Sequence, residues 1–544
     1  MSSKRATLTG GAATPVVRGF TDTRARKWVE ITDKDVSVLV ELRDFAGDRM
    51  SIWRNLADRG VFLIAKYAKN SVSEQVENLE DFPERLIFSG PGWCGGQFAN
   101  ASGQVFAPPK VPRGAIAFTP KLSKCAKEGT ANGWKEKVAA PLVGHPIPAF
   151  AVMACFAAPM LEIVGRTDNF GFELCGAGGK GKSTTQRLMA SVVGPAMEKN
   201  RSYIATFNMT PAALEQSMEW HSDMPFIIDE ANLFGSSTRG RAGQGAMRDF
   251  SFQMASGSTK GRYGMPDQEG YRFIFVTSAN EPFHELLDDE HHSTADAATD
   301  RLMSITVPEG DAGVFGPLPP GYATYREFTL ALEKAMAEEH GSAMPKFLRA
   351  LVRARYEDEA KLRAQIQKHI ATFKRRVGVS DNNGSDARVA EAFGLVYAAG
   401  SFAQFHSVLP SAFDCLGAAE HCYANFRSTV PVRQSLPERL LAIADRPETI
   451  TIDPRNLPTW SKEEMERAGA FIRPVKGKPI LLMTPTFGGQ MFPDWDALKG
   501  TAEFRSLNKA DKDGRGRGYH CQIRANSKGD WFYAFELPDR GTTA

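Results

Sequence analysis

The sequence predicts an α/β protein: a P-loop core on a parallel sheet, a small N-terminal α+β domain, a helical region and a C-terminal winged-helix-like domain. Three observations carry this. From Phe170 the chain alternates apolar runs (NFGFELCG, SYIATF, MPFIIDE, RFIFVTSAN, RLMSITVP) with helix-forming stretches. Such alternation builds a parallel sheet with crossover helices. A glycine-rich stretch, GAGGKGKSTTQ, sits at the first strand-to-helix junction, and beyond Pro308 the chain reads as helices, one of them long and charged (roughly Lys346 to Arg376).

The length of 544 residues allows about three or four domains. An apolar content of 42% and a charged content of 24% are ordinary for a globular chain. The net charge is only +3, so attraction to nucleic acid has to come from local patches rather than a global field. Seven Cys without regular spacing exclude a disulfide framework and a CxxC metal knuckle. The basic, Gly/Thr-rich residues 1–27 read as a disordered tail without a signal-peptide core. The longest apolar run, Ile147 to Gly165, carries two prolines and Glu162. It suits a buried helix better than a membrane span, and a cytoplasmic protein is expected.

Turn-rich short strands place an N-terminal α+β domain at 28–130, and the strand–helix alternation places the parallel α/β core at 131–310. A helical extension follows at 311–430. In the last part, 431–544, a helix, NKADKDGRGRGYHCQI and DWFYAFEL follow in winged-helix order.

Gly176 to Ser183 fits G-x-x-x-x-G-K-[ST] at every fixed position, with an apolar strand before it and a helix after it. Gly176, Gly178, Gly179, Lys180 and Gly181 would turn backbone N–H groups onto phosphates, aided by the helix N-terminus that starts through Thr184. Lys182 would reach the β- and γ-phosphates of ATP, and Ser183 would ligate Mg²⁺. Asp229 and Glu230 end the apolar strand MPFIIDE, where Asp229 suits the Mg²⁺ shell and Glu230 the base for an attacking water. Asn280 closes the strand RFIFVTSAN, at a position suited to hold that water or sense the γ-phosphate; Thr277 and Ser278 fit the same task. Arg301 opens the next strand, either as a finger facing a neighbouring subunit's nucleotide or as an ion-pair partner within its own domain. Between the strands of Asp229 and Asn280 lies ASGSTKGRYGMPDQEGYR. Lys260, Arg262 and Tyr263 sit near its tip between glycines, which reads as a β-hairpin. Two cations beside an aromatic suit a nucleic-acid strand, although a solvated hairpin has the same composition.

With these motifs the chain resembles domain-of-unknown-function family 927, helicase-like proteins of phages, plasmids and cassette elements, some similar to MCM self-loading helicases. The matching stretches include GWCGGQFANASGQVF, GFELCGAGGKGKSTTQRLMASVVG, ATFNMTPAALEQSMEWHSDMPFIIDEAN, MASGSTKGR and ARVAEAFGLVYAAGSFAQF, over roughly residues 30 to 425. The resemblance implies an AAA+ core with strand order 5-1-4-3-2, Asn280 as sensor 1, Arg301 as a finger in trans and Arg388 as sensor 2. It also implies that Lys260 and Arg262 touch DNA, single-stranded or forked. The expected activity is ATP-dependent DNA helicase or translocase of a mobile element, working as a homo-hexamer in the bacterial cytoplasm. Other replication proteins of the element are expected partners, and a membrane is not. An ATPase acting as loader, scaffold, regulatory or defence protein is the alternative. Lys180 departs from the small polar residue common in relatives, and no primase or nuclease signature is present.

Overall fold

The computed structural model describes residues 14–46, 49–197, 202–206, 210–229, 270–282, 299–380, 384–430, 436–457, 459–475, 478–492, 495–499, 502–508, 521–523 and 530–537. The chain divides into two units, Met1–Phe283 with Asp300–Phe426, and His284–Thr299 with Arg427–Ala544.

The first unit is organised around a five-stranded sheet. Its strands are β1 (Phe170–Cys175), β2 (Ala205–Thr206), β3 (Met224–Asp229), β4 (Phe273–Ala279) and β5 (Leu302–Thr306). They lie in the order β2-β3-β4-β1-β5, and every pairing is parallel. FGFELC and FIFVTSA are buried at every position, because a parallel sheet is covered on both faces. Gly171 lets this sheet close, since a Cβ there would lie 2.5 Å from the Phe275 ring.

Helices α1 (Pro146–Ala157), α2 (Lys182–Val193) and α3 (Pro211–Trp220) belong to this core. Helix α1 is the apolar run predicted to be a buried helix, and Ile147–Ala157 is buried throughout. Among the described residues no helix is long and apolar enough to cross a membrane. Four more helices follow: α4 (Tyr325–Glu338), α5 (Ala343–Arg376), α6 (Gly384–Phe405) and α7 (Cys415–Thr429). Phe393 of α6 is their hub, with ring centroids 5.2 Å from Phe150, 5.1 Å from Phe172 and 5.4 Å from Tyr423. The free edge of β5 is closed by Asn425, whose side chain accepts from Thr306 N (2.7 Å) and donates to Thr306 O (2.8 Å). That satisfies edge groups that otherwise invite pairing with another chain.

The long charged helix expected over 346–376 is broken. Asp358 is extended (φ −165°, ψ 92°), and its carboxylate accepts from Lys361 N at 2.8 Å, capping the second half. Apolar periodicity runs on across the break, so the pattern alone hides it.

The N-terminal part carries an antiparallel meander, Val16–Thr21, Lys27–Asp33 and Val36–Glu41, whose cores include Val29, Ile31, Val38 and Val40. The expected disordered tail 1–27 is therefore corrected: Val16–Thr21 is a strand. Its Gly/Thr/Arg surroundings masked a VVRGF run that needs only a turn to pair with the next strand. That turn is built on Asp22, which accepts from Arg24 N, Arg26 N and Trp28 Nε1, each at 2.9 Å.

The Gly-Trp motif fastens this part to the core. Trp93 N donates to Asp223 Oδ2 (3.0 Å) and Trp93 Nε1 to Pro159 O (2.8 Å). Asp223, one residue before β3, pairs with Arg272, one residue before β4, at 2.8 Å. Arg272 and Arg355 share Glu162 at 2.6 and 2.9 Å, and the Arg355 guanidinium lies over the Trp93 ring at 4.4 Å.

The second unit is a five-stranded mixed sheet in the order Ile450–Thr451, Ala470–Val475, Lys478–Met483, Asp530–Glu536, Cys521–Ile523. Alternate residues face two apolar clusters. Leu481, Met483 and Phe535 join Leu440, Trp495 and Phe504, whereas Ile480, Leu482 and Phe532 join Met465 and Phe471. The expected helix–strand–strand order is present as Ala502–Leu507, Cys521–Ile523 and Asp530–Glu536. The two strands are not a separate wing, however, but one side of the larger sheet.

Candidate phosphate-binding site

The loop Gly176–Gly181 joins the end of β1 to the start of α2. It turns through left-handed conformations at Gly176 (φ +136°), Gly179 (+74°) and Gly181 (+90°), which favour glycine. At Gly181 a Cβ would also lie 2.6 Å from Val314 Cγ2. The chain after β5 straps across the loop here: Val314 N donates to Lys180 O (3.0 Å), and Lys180 Nζ to Gly310 O (3.3 Å). On the other side Gly176 N donates to Ala279 O (3.2 Å), tying the loop to β4.

Lys182 Nζ donates to the carbonyls of Gly176 and, at 3.0 Å, Ala177. Burial lowers its pKa, with Cys175 opposing. Ser183 is exposed, Thr184 is buried, and Gln186 Nε2 donates to Ile228 O (2.9 Å), which locks α2 to β3. At the tip of β3, Asp229 Oδ1 accepts from Ser278 Oγ at 3.2 Å. Of the three residues considered at the end of β4, Ser278 and Asn280 face this region, and Thr277 is buried away from it.

A cavity of about 760 Å³ unites these groups. One wall is Gly178 to Thr184 with Asp229, Ser278, Ala279 and Asn280. The other comes from the strap and α4: Asp311, Ala312, Phe315, Tyr325, Arg326, Thr329, Leu330 and Glu333. The size falls in the range of small-molecule sites. Phe315 and Tyr325 stack with centroids 6.4 Å apart at 10°, giving the pocket an apolar surface beside Gly181. Glu333 is held by Arg187 at 2.5 Å. Arg326 is exposed and makes no ion pair with a described residue.

This second wall went unread in the sequence. The only local signal is TYREF, where Thr324 caps α4 by accepting from Glu327 N. The pocket role of α4 comes from the strap folding back. No group of His, Cys, Asp and Glu among the described residues forms a metal cluster by itself. The Ser183 hydroxyl and Asp229 carboxylate are hard oxygen donors of the kind Mg²⁺ takes beside phosphate oxygens.

Two predicted residues lie elsewhere. Arg301 opens β5, and its carbonyl accepts from Gly171 N at 2.8 Å. It is thus at the end of the sheet opposite the loop, about 16 Å away at the rise of a parallel strand. Arg388 is at that same end. Its Nη2 lies 3.6 Å from Asp300, which also accepts from Ser385 Oγ (2.5 Å), and its Nε donates to Gly384 O (3.1 Å). Arg388, expected as sensor 2, thus lies away from the loop of its own chain, as Arg301 does. Glu230, Lys260, Arg262 and Tyr263 lie outside the described residues.

Residues 22–262 match the family model "Domain of unknown function (DUF927)", which upholds the family resemblance over that span. No curated protein matches the sequence. Among solved structures, the chain is similar to the active helicase Cch of SCCmec type IV, at 15% identity and a TM-score of 0.63. That match covers 96% of this chain and 93% of the other, and at this identity the likeness is one of fold. A match to the apo C-terminal region of NrS-1 has 10% identity and a TM-score of 0.27 over 70% of this chain and 83% of that one, and bears no weight.

Proposed function

We propose that the protein is an AAA+ ATPase of the helicase type that couples ATP hydrolysis to movement along DNA in a mobile element. One observation carries the nucleotide part: a single cavity gathers Lys182, Ser183, Asp229 and Asn280 from three different elements. The strand order β2-β3-β4-β1-β5 agrees with the order 5-1-4-3-2 expected of an AAA+ core. The fold likeness to an active helicase of a cassette element supports the coupling to DNA.

In this reading the backbone N–H groups of Gly178 to Thr184 cradle the phosphates, and the start of α2 adds its positive end. Lys182 balances charge on the β- and γ-phosphates. Bound Mg²⁺, held by Ser183 and Asp229, would supply electrostatic stabilisation of the phosphoryl oxygens. Ser278 fixes the Asp229 carboxylate. Glu230, next to Asp229 in sequence, takes the proton of the attacking water, and Asn280 orients that water. Phe315 and Tyr325 offer the base an apolar face. Arg301, far from its own loop, serves the pocket of a neighbouring subunit, so the working form is a closed ring, a hexamer by the family resemblance. Lys260, Arg262 and Tyr263 contact DNA.

The test is the pair Glu230→Gln and Lys182→Ala. Glu230→Gln is expected to bind labelled ATP while hydrolysis falls about 100-fold or more, the usual loss for a missing general base. Lys182→Ala is expected to lose ATP binding. Hydrolysis at the wild-type rate by Glu230→Gln overturns the assignment of the base.

A further inference from the structure

A second cavity shares no lining residue with the nucleotide pocket. It is a groove of about 880 Å³ between the second half of α5 and the end of α6. The break at Asp358 turns the second half of α5 into its own segment and frames the groove.

Two features single it out. The first is aromatic. Phe405 is 83% exposed, and its neighbours in the groove are also rings. Phe402 and His406 are 4.3 Å apart, Phe405 and His406 5.0 Å, and His369 and Tyr397 5.2 Å. An isolated exposed ring is ordinary, whereas several rings sharing one groove mark a binding surface.

The second feature is charge. Residues 360–376 contain six Lys or Arg and no Asp or Glu. Arg363, Lys374 and Arg376 are paired with Glu359, Glu391 and Glu420. Lys361 and Lys368 line the groove and make no ion pair with a described residue. The acids at the groove are already engaged: Glu357 holds Arg353 at 2.7 Å, and Asp358 caps the helix.

We infer that this groove binds single-stranded nucleic acid, with bases stacked on Phe405 and its neighbouring rings and phosphates on Lys361 and Lys368. Every base presents a π-face, so stacking of this kind tolerates any sequence. A duplex keeps its bases stacked on each other and cannot use the rings. Neither an apolar peptide nor a second copy explains two lysines beside the rings. None of the groove residues belongs to the sequence stretch with Lys260 and Arg262, so the groove offers a second place to hold a strand. The inference adds to the proposed DNA-coupled activity and rests on it.

Fluorescence anisotropy of a labelled oligothymidylate, without ATP, tests it. Phe405→Ala is expected to weaken binding about tenfold, one stacked base, and Phe405→Trp to retain it. Lys361→Ala with Lys368→Ala is expected to lower the salt slope by about 1–2, since each lysine neutralises one phosphate. Unchanged thermal unfolding and unchanged basal ATP hydrolysis of Phe405→Ala separate the effect from misfolding. Equal binding by wild type and all variants overturns the groove assignment while leaving the proposed function standing. A wild type that binds no oligothymidylate overturns both. Unchanged affinity with an altered particle mass makes the groove an interface between copies of the chain and overturns the inference.

Discussion

Two arginines divide the catalytic question at the residue scale. Arg326 lines the pocket of its own chain, and Arg301 lies at the opposite end of the sheet. Each replaced by Ala is expected to cost about a thousandfold in ATP turnover if it balances transition-state charge. Mixing separates them. Arg301→Ala subunits keep an intact pocket, and Lys182→Ala subunits keep an intact Arg301, so the mixture is expected to regain ATP hydrolysis. Arg326→Ala mixed with Lys182→Ala is expected to stay inactive, since every pocket lacks one of its own residues. Absence of recovery in the first mixture shows that Arg301 does not act across subunits. The residues legible in the sequence were those whose surroundings are local: Lys182 and Ser183 open a helix straight after the glycine turn, and Asp229 ends a strand. Arg326 and Phe315 were illegible because a strap folded over the loop brings them there. The distance of Arg388 from the loop of its own chain was illegible because the end of the sheet that α6 approaches is a tertiary fact.

At the scale of elements, the joint between the N-terminal part and the core is fixed by one glycine and one carboxylate. Gly92 has φ +110°, and a Cβ there would lie 2.6 Å from Asp223 Oδ2. Asp223 in turn holds Trp93 and Arg272. Gly92→Ala is therefore expected to destabilise the first unit by about 1–3 kcal/mol, from backbone strain and a displaced buried ion pair. Gly90→Ala has no heavy atom within 4 Å of the added Cβ and is the control. Thermal unfolding reads the difference, and equal midpoints for the two variants refute the account of the joint. The sequence marks the Gly-Trp pair as unusual, but its hydrogen-bond partners Pro159 and Asp223 lie 66 and 130 residues away. The break in α5 was hidden for a different reason. Asp358 suits both a helix surface and a cap, and only packing decides between them.

At the scale of the whole molecule, the parallel core was legible because each strand is an apolar run bounded by turns and helices. The strand order was not encoded in that pattern and came from the family resemblance. The C-terminal unit was the least legible. Its strands alternate between two apolar clusters, so each resembles a half-buried strand of a small wing rather than part of a covered five-stranded sheet. The proposed function is that of a machine that uses ATP to move a strand. The most direct measurement is displacement of a labelled strand from a forked DNA duplex by the full chain with ATP and Mg²⁺. The account predicts displacement that depends on ATP and is lost in both Lys182→Ala and Glu230→Gln. ATP hydrolysis that is neither stimulated by the forked DNA nor accompanied by displacement would contradict it.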